Sequence, residues 1–61
     1  MTVYFYINAQ KEFSWNDYKG ELPNIGDSVV IPLLLRRKFN YGHATVYLRI
    51  FSENYIEIYL E

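Results

Sequence analysis

The feature that most restricts the fold of this chain is an unbroken two-residue alternation in three segments. In Thr2–Asn8, Val3, Phe5 and Ile7 share one face, and Tyr4 and Tyr6 share the other. In Ala44–Phe51, Val46, Leu48 and Ile50 alternate with Thr45, Tyr47, Arg49 and Phe51. In Asn54–Glu61, Ile56, Ile58 and Leu60 alternate with Tyr55, Glu57 and Tyr59. A period of two is that of a half-buried strand, and no stretch carries a helical period. Ser28–Arg36 is apolar on both faces, with Val29, Ile31, Leu33 and Leu35 in phase. It predicts a further strand, interrupted or at an edge because Pro32 has no N–H to donate to a ladder. Lys11–Trp15 predicts a fifth, with Phe13 and Trp15 inward, and a single turn fits around Asn16–Lys19.

Sixty-one residues make one domain, 1–61. A core of this size alone supplies roughly 3–5 kcal/mol, so small domains lean on disulfides, metals, partner subunits or an idealised core. The chain has no cysteine and a single histidine, His43. Disulfides and thiolate metal sites are therefore excluded, and a zinc site needing about four N, S or O ligands is not expected. An idealised core or oligomerisation remains. The net charge of −1 creates no global positive field to draw in nucleic acid. No apolar run approaches a membrane span. The start, Met1-Thr2-Val3-Tyr4, lacks the basic and apolar regions of a signal peptide, and the chain is read as cytoplasmic, with no membrane partner and no cofactor.

Registers follow from requiring apolar faces to coincide, because a one-residue slip turns every side chain over. A two-residue Glu53-Asn54 turn would set Ile50 opposite Glu57. A three-residue loop, Ser52-Glu53-Asn54, instead pairs Ile50 with Ile56 and Leu48 with Ile58. It places Asn54 at the left-handed position such loops need. Arg49 then faces Glu57, Tyr47 faces Tyr59, and Phe51 faces Tyr55. Upstream, matching Leu35 to Val46 and Leu33 to Leu48 leaves a hairpin loop Phe39-Asn40-Tyr41-Gly42. Lys38 then faces His43, Arg36 faces Thr45, and Leu34 faces Tyr47. The first hairpin is expected to turn near Ala9–Lys11, with Ile7 near Phe13 and Phe5 near Trp15.

Between the halves, Pro and Gly punctuate Gly20–Val29, a connection entering a strand. Five short strands at this spacing predict a small, strongly bent barrel. The segment "ELPNIGDSVVI", Glu21–Ile31, followed by a β-meander to the end of the chain, resembles the L-P-x-I/V-G-D-x-V lead-in of small SH3-like barrel proteins of bacteria and phages, most of which have no assigned function. The likeness covers about ten residues as a motif and most of the chain as a strand pattern. It implies a five-stranded, SH3-like, partly open all-β barrel that ends in a three-stranded antiparallel meander and acts by binding. It carries over no catalytic residue and does not extend to Arg36–His43.

No arrangement in the sequence points to catalysis. Nucleophilic chemistry needs a base beside an activated Ser or Cys, and His43 has no acidic neighbour to orient it. Ser14, Ser28 and Ser52 sit at strand or turn positions, and the carboxylates are scattered. The chain is read as a non-enzyme. The outward face is more informative. In the derived registers Leu34, Tyr47 and Tyr59 lie side by side across three strands, and Val30, Phe51 and Tyr55 form a second row. Tyr4 and Tyr6 extend the patch if the terminal strands are neighbours. Tyrosines also favour pleated surfaces for their own sake, but a contiguous apolar patch usually marks an interface. The expected function is a protein-interaction module that self-associates, as a homodimer, or binds a protein partner through this face. The alternative uses "RRKFNYGH". Arg36, Arg37 and Lys38 would seat phosphates, and Phe39 and Tyr41 would stack bases of a nucleic acid. Strand alternation would divide those charges between two faces, and charges beside an apolar run also serve to blunt exposed β structure.

Overall fold

A computed structural model describes all of residues 1–61. The elements in order are β1 (Thr2–Ile7), β2 (Gln10–Trp15), β3 (Ser28–Val30), α1 (Leu33–Phe39), β4 (His43–Phe51) and β5 (Tyr55–Leu60). Strands hold 49% of the residues against seven in the one helix, so the class is all-β, as the alternation predicts. The five strands form one mixed sheet in the order β2-β1-β5-β4-β3, curled into a half-barrel. The terminal strands are neighbours, and β1 and β5 run parallel. The last three strands form the antiparallel series β3-β4-β5. No helix is long and apolar enough to cross a membrane.

The core fills the concave side. Val3, Phe5 and Ile7 of β1, Ile56, Ile58 and Leu60 of β5, and Ala44 and Val46 of β4 are buried there with Val29 and Ile31. Parallel pairing brings Val3, Phe5 and Ile7 opposite Ile56, Ile58 and Leu60, so two period-two faces become one apolar floor. Phe13, Trp15, Tyr18, Leu22, Leu35 and Phe39 cover it. Phe5 is the hub, stacked on Phe13 with ring centroids 4.6 Å apart and meeting Trp15 edge-on at 4.5 Å.

The first hairpin turns on Asn8 and Ala9, both left-handed at φ 54° and 64°. Two consecutive positive φ values are those of a tight type I′ turn. The turn pairs Ile7 with Gln10, and a bulge between Phe5 and Tyr6 restores Phe5 opposite Phe13. The expected contact of Ile7 with Phe13 is therefore displaced by one inward position. The Pro-Asn-Ile-Gly-Asp lead-in is a turn of the kind that asks for glycine. The Asp27 N–H donates to the Asn24 carbonyl at 3.0 Å, and Gly26 sits at φ 96°, the left-handed third position of a type II turn.

The strand expected over Ser28–Arg36 stops at Val30. Pro32 is extended at φ −53°, ψ 143°, and the chain then turns into α1. The reason lies in the residues. Leu33-Leu34-Leu35-Arg36-Arg37-Lys38 contains no β-branched side chain and consists of strong helix formers. Arg36, Arg37 and Lys38 occupy the last turn, where cations favour the helix dipole. Asn40, left-handed at φ 60°, ends the helix with its N–H on the Arg36 carbonyl at 2.8 Å. Leu35 and Phe39, four apart and so on one helical face, supply the packing against the core. The hairpin that matched Leu35 with Val46 and Leu34 with Tyr47 does not form. Instead β3 pairs Ser28 with Thr45, Val29 with Ala44 and Val30 with His43.

The register between β4 and β5 is also corrected. Ile50 pairs with Glu57, Arg49 with Ile58, Leu48 with Tyr59 and Phe51 with Ile56. Ser52 and Tyr55 close the hairpin, the Ser52 N–H donating to the Tyr55 carbonyl at 2.9 Å around Glu53-Asn54. A bulge between Val46 and Leu48 reconciles this two-residue turn with a buried Val46, which still pairs with Leu60. Tyr47 is the extra residue. A bulge inverts the alternation beyond it, so Leu48 and Ile50 turn outward and Arg49 turns inward.

Candidate interaction surfaces

The convex face of the sheet has no covering element. Its middle strands carry Tyr4 and Tyr6 from β1, Tyr55, Glu57 and Tyr59 from β5, and Tyr47, Leu48 and Ile50 from β4. The pairings set Tyr6, Tyr59 and Leu48 in one row and Tyr4, Glu57 and Ile50 in the next. The rings of Tyr6 and Tyr59 stack at 4.6 Å, Tyr47 meets Tyr59 edge-on at 6.3 Å, and Tyr4 meets Tyr55 edge-on at 5.8 Å. Tyr47, Leu48 and Ile50 are each more than two-fifths exposed, which makes the patch continuous and open to solvent.

One carboxylate lies at its centre. Glu57 accepts the Tyr6 hydroxyl on one oxygen and the Tyr59 hydroxyl on the other, both at 3.0 Å. The two phenols are held above the ordinary tyrosine value. For Tyr6 the bond to Glu57 is the main cause, followed by burial. For Tyr59 burial comes first and the same carboxylate second. A raised pKa in the fold favours the neutral phenol. The resulting stabilisation is complete below the unfolded value near 10 and is lost as pH rises through the higher folded value. Thermal unfolding followed from about pH 9 upward should therefore show a falling midpoint that tracks tyrosinate absorbance. Glu57→Gln, which removes the charge and one acceptor oxygen, should make that fall shallower. An identical alkaline profile in the variant would contradict this account of the pair.

The residues singled out in the sequence divide among several places. Tyr4, Tyr6, Tyr47, Tyr55 and Tyr59 meet on the convex face as described. Leu34 does not join them, because it rides on α1. Val30 sits on the edge strand β3. Phe51 pairs with the buried Ile56 and therefore points to the concave side at the sheet's open end. Arg49 does not pair with Glu57. Its guanidinium lies 5.3 Å from the centre of the Phe51 ring, and its Nη1 reaches the Pro23 carbonyl and Asn24 Oδ1, each at 3.4 Å. Its Nε is buried without a partner. Leu48 and Ile50 are the members of the face that alternation alone missed, since only the bulge brings them outward. Alternation does place Glu57 among the tyrosines, but opposite Arg49, where the structure gives it the hydroxyls of Tyr6 and Tyr59.

The basic segment spans the end of a helix and its exit, rather than the tip of a hairpin. Arg36 is half-buried, its Nε donating to the Ile31 carbonyl at 3.0 Å. Lys38 pairs with Glu12 of β2 at 3.0 Å, tying α1 across the mouth of the half-barrel. Phe39 packs against the core, and Tyr41 is exposed 5.9 Å from it. Arg37 is exposed. No three His, Asp or Glu side chains gather in a group that would hold a metal ion.

A second concavity lies where the half-barrel fails to close, between β2 and β3. It has a volume of about 440 Å³ and is walled by Trp15, Tyr18, Leu22 and Val29, with Glu21 and Asp27 at its margin. Trp15 and Tyr18 stack at 4.7 Å, and the Tyr18 hydroxyl donates to the Glu21 carbonyl.

Comparison of the chain with models of protein families, with curated proteins and with solved structures finds no match.

Proposed function

We propose that the chain is a non-catalytic protein-interaction module that docks a protein partner on its convex face. The observation that carries this reading is the open row of Tyr6, Tyr59, Tyr47 and Leu48 beside Tyr4, Glu57 and Ile50. Contiguous exposed apolar surface of this kind marks contact sites. Tyrosine suits such sites because it presents a large apolar ring with a polar tip that tolerates water. The resemblance of the lead-in to SH3-like barrel proteins accords with a domain that acts by binding.

Glu57 defines the chemistry of the partner. A two-fold axis through the centre of the patch would set this carboxylate against its own copy, a like-charge contact at the least solvated point of the contact. A lysine or arginine framed by apolar side chains complements it instead. Against the nucleic-acid alternative stand the engagements of its own residues. Arg36 is committed to Ile31, Lys38 to Glu12, and Phe39 to the core.

A photoactivatable phenylalanine analogue placed at Tyr47 or Ile50 tests the proposal in cells expressing the chain. Discrete protein adducts are expected from both positions, and Glu57→Lys in the same chain should abolish them. No adducts, or the same adducts from the exposed loop residue Lys19, would overturn it.

A further inference from the structure

A different surface carries the signs of self-association. The large apolar side chains most open to solvent are Leu34 at 94%, Leu33 at 75% and Val30 at 67%. They cluster around the sharp turn at Pro32, and α1 buries none of its residues fully. Arg37 stands three residues after Leu34 and four after Leu33, so the three side chains share one helical face. This knob is held rigidly. Pro32 fixes the entry, Arg36 ties the helix to the Ile31 carbonyl, Lys38 anchors it to β2, and Asn40 caps its end. An exposed leucine pair on a braced helix gains nothing from solvent, and its ordering cost is already met before any contact forms.

The complementary shape lies beside it. The groove between β2 and β3 falls within the size that bound side chains and small ligands occupy, roughly 300–1,000 Å³. Its walls are apolar, and its only charged lining residues, Glu21 and Asp27, are acidic. The Asp27 carboxylate also accepts the Asn24 N–H at 2.8 Å, which steadies the margin. Val30 belongs both to the groove's rim and to the knob. The shared strand, β3, is three residues long and forms the outer edge of the sheet. Knob and groove therefore sit side by side about an unpaired edge strand, as an isologous contact requires.

We propose that two copies associate about a two-fold axis near Val30. Leu33 and Leu34 of each copy enter the groove of the other, and Arg37 of each faces the partner's Glu21 and Asp27. The two β3 edges lie antiparallel across the axis. The contact covers the most exposed apolar side chains and the free edge together, and it adds burial to a domain whose own core is small. It leaves the convex face free, so it stands whether or not that face binds a partner.

The lone tryptophan, Trp15, lines the groove and reports directly on its filling. Sedimentation of the full chain should show a dimer, and dilution should shift the Trp15 emission to the red with the same dissociation constant. Leu34→Glu, at a position that contributes nothing to the fold of one copy, should weaken association by about 30-fold or more. Arg37→Glu should weaken it too, and Arg37→Glu combined with Glu21→Arg should restore it. Ile50→Glu on the convex face should leave it unchanged. A chain that stays monomeric at about 1 mM, a dimer indifferent to Leu34→Glu, or a dimer broken by Ile50→Glu would each overturn the proposal.

Discussion

Phe5→Ala should cost this fold a large part of its stability at 25 °C. Phe5 is fully buried at the centre of β1, with Phe13 opposite it on one side and Ile58 on the other. Its ring stacks on Phe13 and meets the edge of Trp15. Truncating a buried phenylalanine costs about 3–5 kcal/mol, the lost transfer energy plus the cavity left behind. A domain of this length holds roughly 3–9 kcal/mol in total. The single change therefore removes a third of the stability at the least and all of it at the most. Phe5→Leu, which keeps most of the volume, should cost roughly half as much. Urea unfolding in dilute solution, read by Trp15 fluorescence, checks both. A Phe5→Ala variant with the parent midpoint would show that the aromatic cluster does not hold the sheet together.

Deleting one tyrosine should be tolerated where deleting another is not. Tyr47 is the extra residue of the bulge. Val46 and Leu48 face consecutive residues of β5, Leu60 and Tyr59. Without Tyr47 they become consecutive themselves, and the ladder becomes regular with Val46 still inward and Leu48 still outward. The loss is one edge-on contact with Tyr59, worth about 1 kcal/mol. Tyr59 has no such latitude. It lies in β5, hydrogen-bonded on both sides, opposite Tyr6 and Leu48. Removing it moves Leu60 to the solvent face and empties the place that Leu60 fills between Ile7 and Val46. That costs about 3 kcal/mol or more in cavity and burial alone, a large part of the stability of a domain this size. Circular dichroism and thermal scans of the two deletions should separate them clearly. Equal destabilisation would mean that Tyr47 sits in regular pairing.

The inner floor of this fold was legible because β1 and β5 alternate large apolar residues with tyrosine. Val3, Phe5, Ile7, Ile56, Ile58 and Leu60 could face only one way. β4 was harder for a physical reason. Thr45, Tyr47, Arg49 and Phe51 are amphipathic enough to lie on either face, so the alternation of Val46, Leu48 and Ile50 says nothing of a bulge between them. The Glu53-Asn54 turn looked wrong only because a regular ladder was assumed beyond it. The helix was concealed by its shortness. A run of three leucines fits a buried strand and a helical turn equally well, and the distinguishing marks were the absent β-branched residues after Pro32 and the Asn40 that ends the run. Ala9 at a left-handed φ is a position that composition does not flag. Of the proposed docking face, the tyrosines were visible as the polar-side partners of each strand. Glu57 fell among them by the same alternation, but its bonds to Tyr6 and Tyr59 were not legible, since its partners depend on the register. The groove between β2 and β3 depends on a gap in closure and on side chains drawn from distant segments, which no local pattern records.

The bulge at Tyr47 decides what the convex face carries, and with it the surface proposed to meet a partner. Cross-strand nuclear Overhauser contacts in the labelled chain test it most directly. The structure predicts that Ile50 lies opposite Glu57 and Leu48 opposite Tyr59, with the Ile50 side chain among the tyrosine rings. Contacts pairing Ile50 with Ile56 and Leu48 with Ile58 would bury both side chains, return Arg49 to Glu57, and contradict the account.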